Sequence, residues 1–172
     1  DLQVGGLLQT AAGVVDANLL INSDLDFKRT YSGGVKSENL NLGKLLGDSK
    51  FGHAQFNVDL EGFNYNDKYP ESYIKGLVSS FDYSGYRYEN ISLDGIYKDG
   101  GFNGHLALDD ENGKVRIDGS FNIAEKISDF NLYATIQNLR LDKLNLSDKY
   151  IDSDISFNLN ADFTGSSIDD VN

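Results

Sequence analysis

The chain has no cysteine, no methionine and no tryptophan, and among its 172 residues only one proline and two histidines. Without cysteine there is no disulfide, no zinc–thiolate centre and no thiol nucleophile, which excludes a disulfide-stapled scaffold but leaves the compartment open. The histidines, His53 and His105, fall on the polar sides of predicted strands and in no ligand or triad spacing, so they read as surface residues. No stretch approaches the roughly 18 uninterrupted apolar residues of a membrane-spanning helix. Basic residues are also scarce: 15 against 27 acidic ones, a net charge of −12. That balance excludes a nucleic-acid surface and docking on anionic headgroups through a polybasic patch. It reads as an acidic exterior that keeps a β-rich protein in solution.

What the chain has in abundance is alternation. Phe102, Gly104, Leu106 and Leu108 share one parity, the turn Asp110-Glu111-Asn112-Gly113 follows, and Val115, Ile117, Gly119, Phe121 and Ile123 resume it. Strand side chains point to opposite faces with period two, so this is a hairpin with one apolar and one wet face. Setting Leu108 opposite Val115 also sets Leu106 against Ile117, Gly104 against Gly119 and Phe102 against Phe121. On the wet face the same register pairs Asp109 with Lys114 and His105 with Asp118.

The rest of the chain reads as strand after strand. Leu2–Leu8, Val15–Ile21, Phe27–Val35, Ala54–Leu60, Tyr73–Tyr83, Tyr86–Tyr97, Phe130–Ile136 and Ile155–Phe163 all alternate. Gly33-Gly34 permits a bend or bulge, and Tyr73, Leu77, Phe81 and Tyr83 are expected on one face. Between Tyr88 and Ile91 the apolar parity slips, which predicts a β-bulge at Glu89-Asn90. Lys98-Asp99-Gly100-Gly101 is a turn. Residues Ala11–Leu20 fit a helix or a strand, and short helices are expected at Leu42–Leu46 and Leu141–Leu146.

One segment echoes another. NLNLGKLL at 39–46 returns as NLRLDKLNL at 138–146, an offset of 138 − 39 = 99, and each copy leads into an alternating strand ending in glycine. The echo spans 39–62 and 138–165 and reads as one corner built twice, in a single β-rich segment, 1–172, of a longer repetitive protein. The chain begins at Asp1, and Ser166–Asn172 end it without a closing element, in keeping with an excised piece.

Signals for chemistry are weak. Asp109-Asp110-Glu111-Asn112-Gly113 clusters carboxylates but lacks the spacing and distal glutamate of a calcium loop, so it reads as a hairpin turn. Asp24, Asp26, Asp169 and Asp170 read as loop charges, and the glycines form no phosphate loop. Asn90-Ile91-Ser92 and Asn145-Leu146-Ser147 match a glycosylation tripeptide that is common by chance. The ten tyrosines and ten phenylalanines suit strands. No enzyme, metal site or cofactor is expected.

The open question is what covers the apolar face. It can pack on a second sheet, close into a barrel, or hold something other than protein. Burial of one Leu, Ile or Phe is worth about 1.5–3 kcal/mol, so a long exposed row is untenable in water. A sheet curled into a U shelters the row and leaves a trough, apolar inside and acidic outside, that suits an acyl chain better than a sugar or a peptide.

Three segments carry a family resemblance: NLNLGKLLGDSKFGHAQFNVDLEG (39–62), YRYENISLDGIYKDGGFNGHLALDDENGKVRIDGSF (86–121) and NLRLDKLNLSDKYIDSDISFNLNADFTG (138–165). Their succession resembles the AsmA-like superfamily, in its TamB-like (translocation and assembly module) branch from Gram-negative envelopes. The resemblance implies an elongated, curled antiparallel β-sheet, a U-shaped groove with a hydrophobic interior, in the periplasm. It implies a parent anchored in the inner membrane, phospholipid as the partner, and an outer-membrane barrel partner met through regions outside this sequence. On that reading acyl chains slide along Leu93, Phe102, Leu106, Leu108, Val115, Ile117, Phe121, Phe130, Leu132, Ile136, Phe157 and Phe163. Two alternatives stand beside it. One is a periplasmic scaffold or chaperone that receives strands at its sheet edges; the other is an adhesin-like β-domain with a dry core.

Overall fold

A computed structural model describes residues 2–23, 28–65, 71–122 and 128–165. They form one antiparallel sheet whose ten strands pair in chain order: β1 (Leu2–Thr10), β2 (Gly13–Ser23), β3 (Lys28–Asn41), β4 (Phe51–Tyr65), β5 (Glu71–Tyr83), β6 (Tyr86–Lys98), β7 (Gly101–Asp110), β8 (Gly113–Asn122), β9 (Ser128–Leu139) and β10 (Ile155–Gly165). The sheet is not closed: among the described strands β1 and β10 each have only one neighbour. The stretch Ala11–Leu20 resolves as a turn and a strand. Phe27, Ile123, the loop acids Asp24, Asp26, Asp169 and Asp170, and the segment Ser166–Asn172 lie outside the described residues.

The β7–β8 hairpin has the register that alternation predicts, from Phe102↔Phe121 to Asp109↔Lys114, with Asp110 and Gly113 closing the turn. The Lys114 ammonium lies 2.7 Å from Asp109, and His105 contacts the Asp118 carboxylate. At the turn Asp110 is 5% exposed and acts as a cap. Its carboxylate accepts hydrogen bonds from the Tyr86 hydroxyl (2.5 Å), the Glu89 N–H (3.0 Å) and the Asn112 N–H (2.9 Å). These are protein donors, so the acidic run folds as a turn.

Three expectations are corrected. Gly33-Gly34 forms no bulge: pairing runs unbroken through both residues to β2 and to β4. The parity slip in β6 does fall at Asn90, whose φ is +54°, but it is matched by an extra residue, Ser79, on β5. That match overturns the expected face of β5. Tyr73 and Leu77 sit opposite Glu61 and Asn57 on the polar side, and only beyond Ser79 do Phe81 and Tyr83 turn inward, opposite Tyr88 and Tyr86.

The third correction concerns the echoing corners. The first forms helix α1 (Leu42–Leu46), capped by Asn41, whose side chain accepts from the Lys44 N–H, and ended by Gly47 at φ 72°. The second, Leu141–Leu146, forms turns. One helical hydrogen bond, Leu144 N–H to Arg140 C=O at 3.0 Å, is followed by Asn145 at φ 54°, and the Leu146 N–H then reaches Leu141 C=O. A residue in the left-handed region ends a helix, and here it comes after a single turn. Both corners sit at the same end of the sheet and both follow a one-residue register shift, between Ser37 and Leu40 and between Ile136 and Leu139.

Their packing differs. Leu144 is fully buried, whereas the echoing Leu45 is 61% exposed. The second corner reaches back to β6, where the Tyr88 hydroxyl donates to Leu144 C=O at 2.7 Å, and Asn145 donates to Ser84 C=O. Tyr88 in turn belongs to a ring cluster with Phe51, Phe81, Tyr83 and Tyr86. Leu144→Ala is therefore expected to cost about 2–5 kcal/mol in urea unfolding, the usual range for a buried leucine. Leu45→Ala, at the echoing position, should stay within about 0.5 kcal/mol of the parent. Equal costs at the two positions would contradict this packing.

Candidate functional site

Because directly opposed residues share a face, the register collects the inward side chains of β5–β10 into four rows that cross the strands. The aromatic row runs Tyr97, Phe102, Phe121, Phe130 and Phe163. Beside it a glycine row runs from Ile74 through Gly95, Gly104 and Gly119 to Leu132 and Ala161. An aliphatic row follows with Leu93, Leu106, Ile117, Ala134 and Leu159, and a fourth with Ile91, Leu108, Val115, Ile136 and Phe157. All twelve sequence-predicted groove residues thus lie on one face. Leu106, Phe121 and Phe157 are exposed and the other nine half-buried. Phe102 and Phe121 have ring centroids 5.7 Å apart, and Phe130 stacks on Phe163 at 4.7 Å.

The opposite face is mainly polar, with Tyr73, Leu77, Ile96 and Tyr133 set among its charges. It carries cross-strand ion pairs Lys36–Asp16, Lys75–Asp94 and Lys114–Asp109, together with the His105–Asp118 pair. The hydrogen bond from the Tyr73 hydroxyl, and then the Lys75 ammonium, hold the Asp94 carboxyl below its ordinary range despite some desolvation. At the capped end, burial pushes the Tyr86 phenol up to about 12; its bond to Asp110 adds to this and one from Asn112 opposes it. The Tyr86 phenol therefore stays uncharged at neutral pH and donates to Asp110.

Six of the twelve predicted residues come together around one cavity of about 550 Å³: Leu93, Phe102, Leu106, Ile117, Phe121 and Leu132. Ile74, Tyr97, Gly100, Gly104 and Gly119 complete its lining. Residues of five successive strands, β5 to β9, border this single space, so the sheet is concave on its apolar side. Leu108, Val115, Phe130, Ile136, Phe157 and Phe163 lie outside it, farther along the same face.

The floor of the cavity was the part that sequence reasoning missed. Gly104 and Gly119 contribute no side chain, which leaves a trench between the aromatic and aliphatic rows. Gly95 lies under the Phe102 ring, whose edge comes within 2.4 Å of where a Cβ would stand. The available signal was glycine recurring at inward parity on three adjacent strands. No protein family matches the chain, and no curated protein or solved structure is detectably similar to it.

Proposed function

We propose that this chain is a TamB-like bridge segment, placed in the periplasm, whose apolar groove carries the acyl chains of phospholipids between inner and outer membrane and is linked to outer-membrane protein assembly. The observation that carries this reading is the continuous apolar face, concave over β5–β9, to which the described residues supply no second sheet. Water contact along such a face is unfavourable, and hydrocarbon relieves it without needing a hydrogen bond. The groove acts passively. Acyl chains lie against the rows, headgroups stay at the mouth, no residue reacts, and direction comes from outside the segment.

A second reading has an observation of its own. Among the described residues neither edge strand has an outer neighbour, and every residue of β1 is exposed, so a scaffold could receive an incoming strand by β-augmentation. Photo-crosslinking residues at Ile117 and at its outward neighbour Arg116 separate the two. Phospholipid captured at 117 and not at 116, identified by mass spectrometry, is the expected result. Protein captured at 117, or nothing, would favour the scaffold.

A further inference from the structure

We infer that the trench over Gly104 and Gly119 is a bounded site for one acyl chain, its polar end at Tyr97–Gly100 and its terminal methyl against Leu132; this rests on the lipid-carrying reading above. The floor exists because side chains are missing from it. Built on Gly104, a Cβ would lie 2.3 Å from Asp94 C=O and 2.5 Å from the Gly95 Cα; on Gly119 it would lie 2.1 Å from Asn131 C=O. The neighbouring backbones thus approach too closely for any other residue, and the space above them stays open. Phe102 and Phe121 form one wall, Leu106 and Ile117 the other.

The row that supplies the glycine floor does not continue as glycine. It gives way to Leu132 on β9 and, at the other end, to Gly95 covered by the Phe102 ring with Ile74 on β5 beyond it; Leu132, Phe102 and Ile74 all line the cavity. The trench therefore has end walls. A volume of about 550 Å³ is that of a small-molecule pocket, roughly 300–1,000 Å³. It suits one chain lying across the strands.

Polarity identifies the occupant and its direction. Among the described lining residues the Tyr97 hydroxyl is the single side-chain heteroatom, and Gly100 beside it belongs to the β6–β7 turn. A peptide or sugar would surrender hydrogen bonds to water along the whole trench with nothing to replace them. A second copy of this chain would bring another −12 of charge to an already acidic molecule. A hydrocarbon chain asks for no partner inside and needs a polar outlet at one end only. From Tyr97 on β6 to Leu132 on β9 is three strand spacings, roughly 14 Å.

The test is a homologous series of saturated lysophosphatidylcholines competing with a fluorescent acyl probe for the protein, below their micelle-forming concentrations. Affinity is expected to rise roughly fourfold per added methylene, the increment for a buried CH₂. It should then break to a plateau once the extended chain fills the distance to Leu132. Leu132→Ala should move the break to longer chains and Leu132→Phe to shorter ones, with circular dichroism confirming the sheet in each. If only one variant folds, its shift alone decides. Binding without a break, or a break that ignores residue 132, overturns the bounded site and leaves the groove reading standing. A folded protein that binds no member of the series overturns both.

Discussion

Ile117→Asp is expected to abolish phospholipid capture while leaving the sheet folded. Ile117 sits at the centre of the aliphatic row, opposite Leu106 on β7 and Ala134 on β9, and lines the cavity. Full cover of an isoleucine by hydrocarbon is worth about 1.5–3 kcal/mol, so loss of that contact alone lowers affinity roughly ten- to hundredfold. The carboxylate adds to this, because a lipid arriving over it would strip its water without offering a counter-charge. The empty groove tolerates the same charge: residue 117 is only half-buried, and a carboxyl there can keep its water or rise in pKa.

The control is one residue away. Arg116 points to the polar face, is exposed, and is paired across the strands with Ala107 and Thr135. Arg116→Asp changes charge in the same direction and by a larger amount, yet should leave capture within about twofold, because surface substitutions away from the site cost little. Lipid recovered equally from a folded Ile117→Asp protein and from Arg116→Asp would remove the groove from the mechanism. The edge-strand reading predicts a different pattern: indifference at 117 and sensitivity to proline within β1 or β10, which removes a ladder donor.

What could be read in advance followed the strength of each local rule. Alternation on both arms of Phe102–Phe121 admits one register, since a one-residue slip would exchange every side chain between faces; the structure has that register. The same rule failed on β5. Tyr73, Leu77, Phe81 and Tyr83 share a parity in the sequence, but the extra residue at Ser79 divides them between faces. Asn90 announced its irregularity through the slip from Tyr88 to Ile91; Val78 and Phe81 slip in the same way around Ser79, but Tyr73 and Leu77 share the parity of Phe81 and Tyr83 and so hid it. The second corner misled for a related reason. Leu141, Leu144 and Lys143 suit a helix, and Asn145 turns left-handed after one turn. Of the site, the walls were legible as alternation and the floor was not, since hydrophobic patterning is blind to a cavity made by side chains that are absent.

Gly119→Ala should strongly destabilise the centre of the sheet, although it adds a single methyl group. Gly119 adopts φ +144°, a region L-residues rarely occupy, and its added Cβ would stand 2.1 Å from Asn131 C=O and 2.9 Å from the Leu132 Cα. Those are backbone atoms of the paired strand β9, so the contact is relieved only by parting β8 from β9. Strain of the backbone contributes about 1–3 kcal/mol, and the steric term adds to it, for an expected loss of about 3 kcal/mol or more in urea unfolding. Gly5, on β1, is the comparison that isolates the cause. A Cβ there would meet the Asn18 side-chain oxygen at 3.5 Å, an ordinary contact. Gly5→Ala should therefore be neutral, or stabilising by up to about 1 kcal/mol through the lower entropy of the unfolded chain. Opposite signs for the same chemical change locate the effect in the close approach of β8 and β9. A Gly119→Ala midpoint matching that of Gly5→Ala would mean that the strands stand farther apart, and that the trench floor is not built as described.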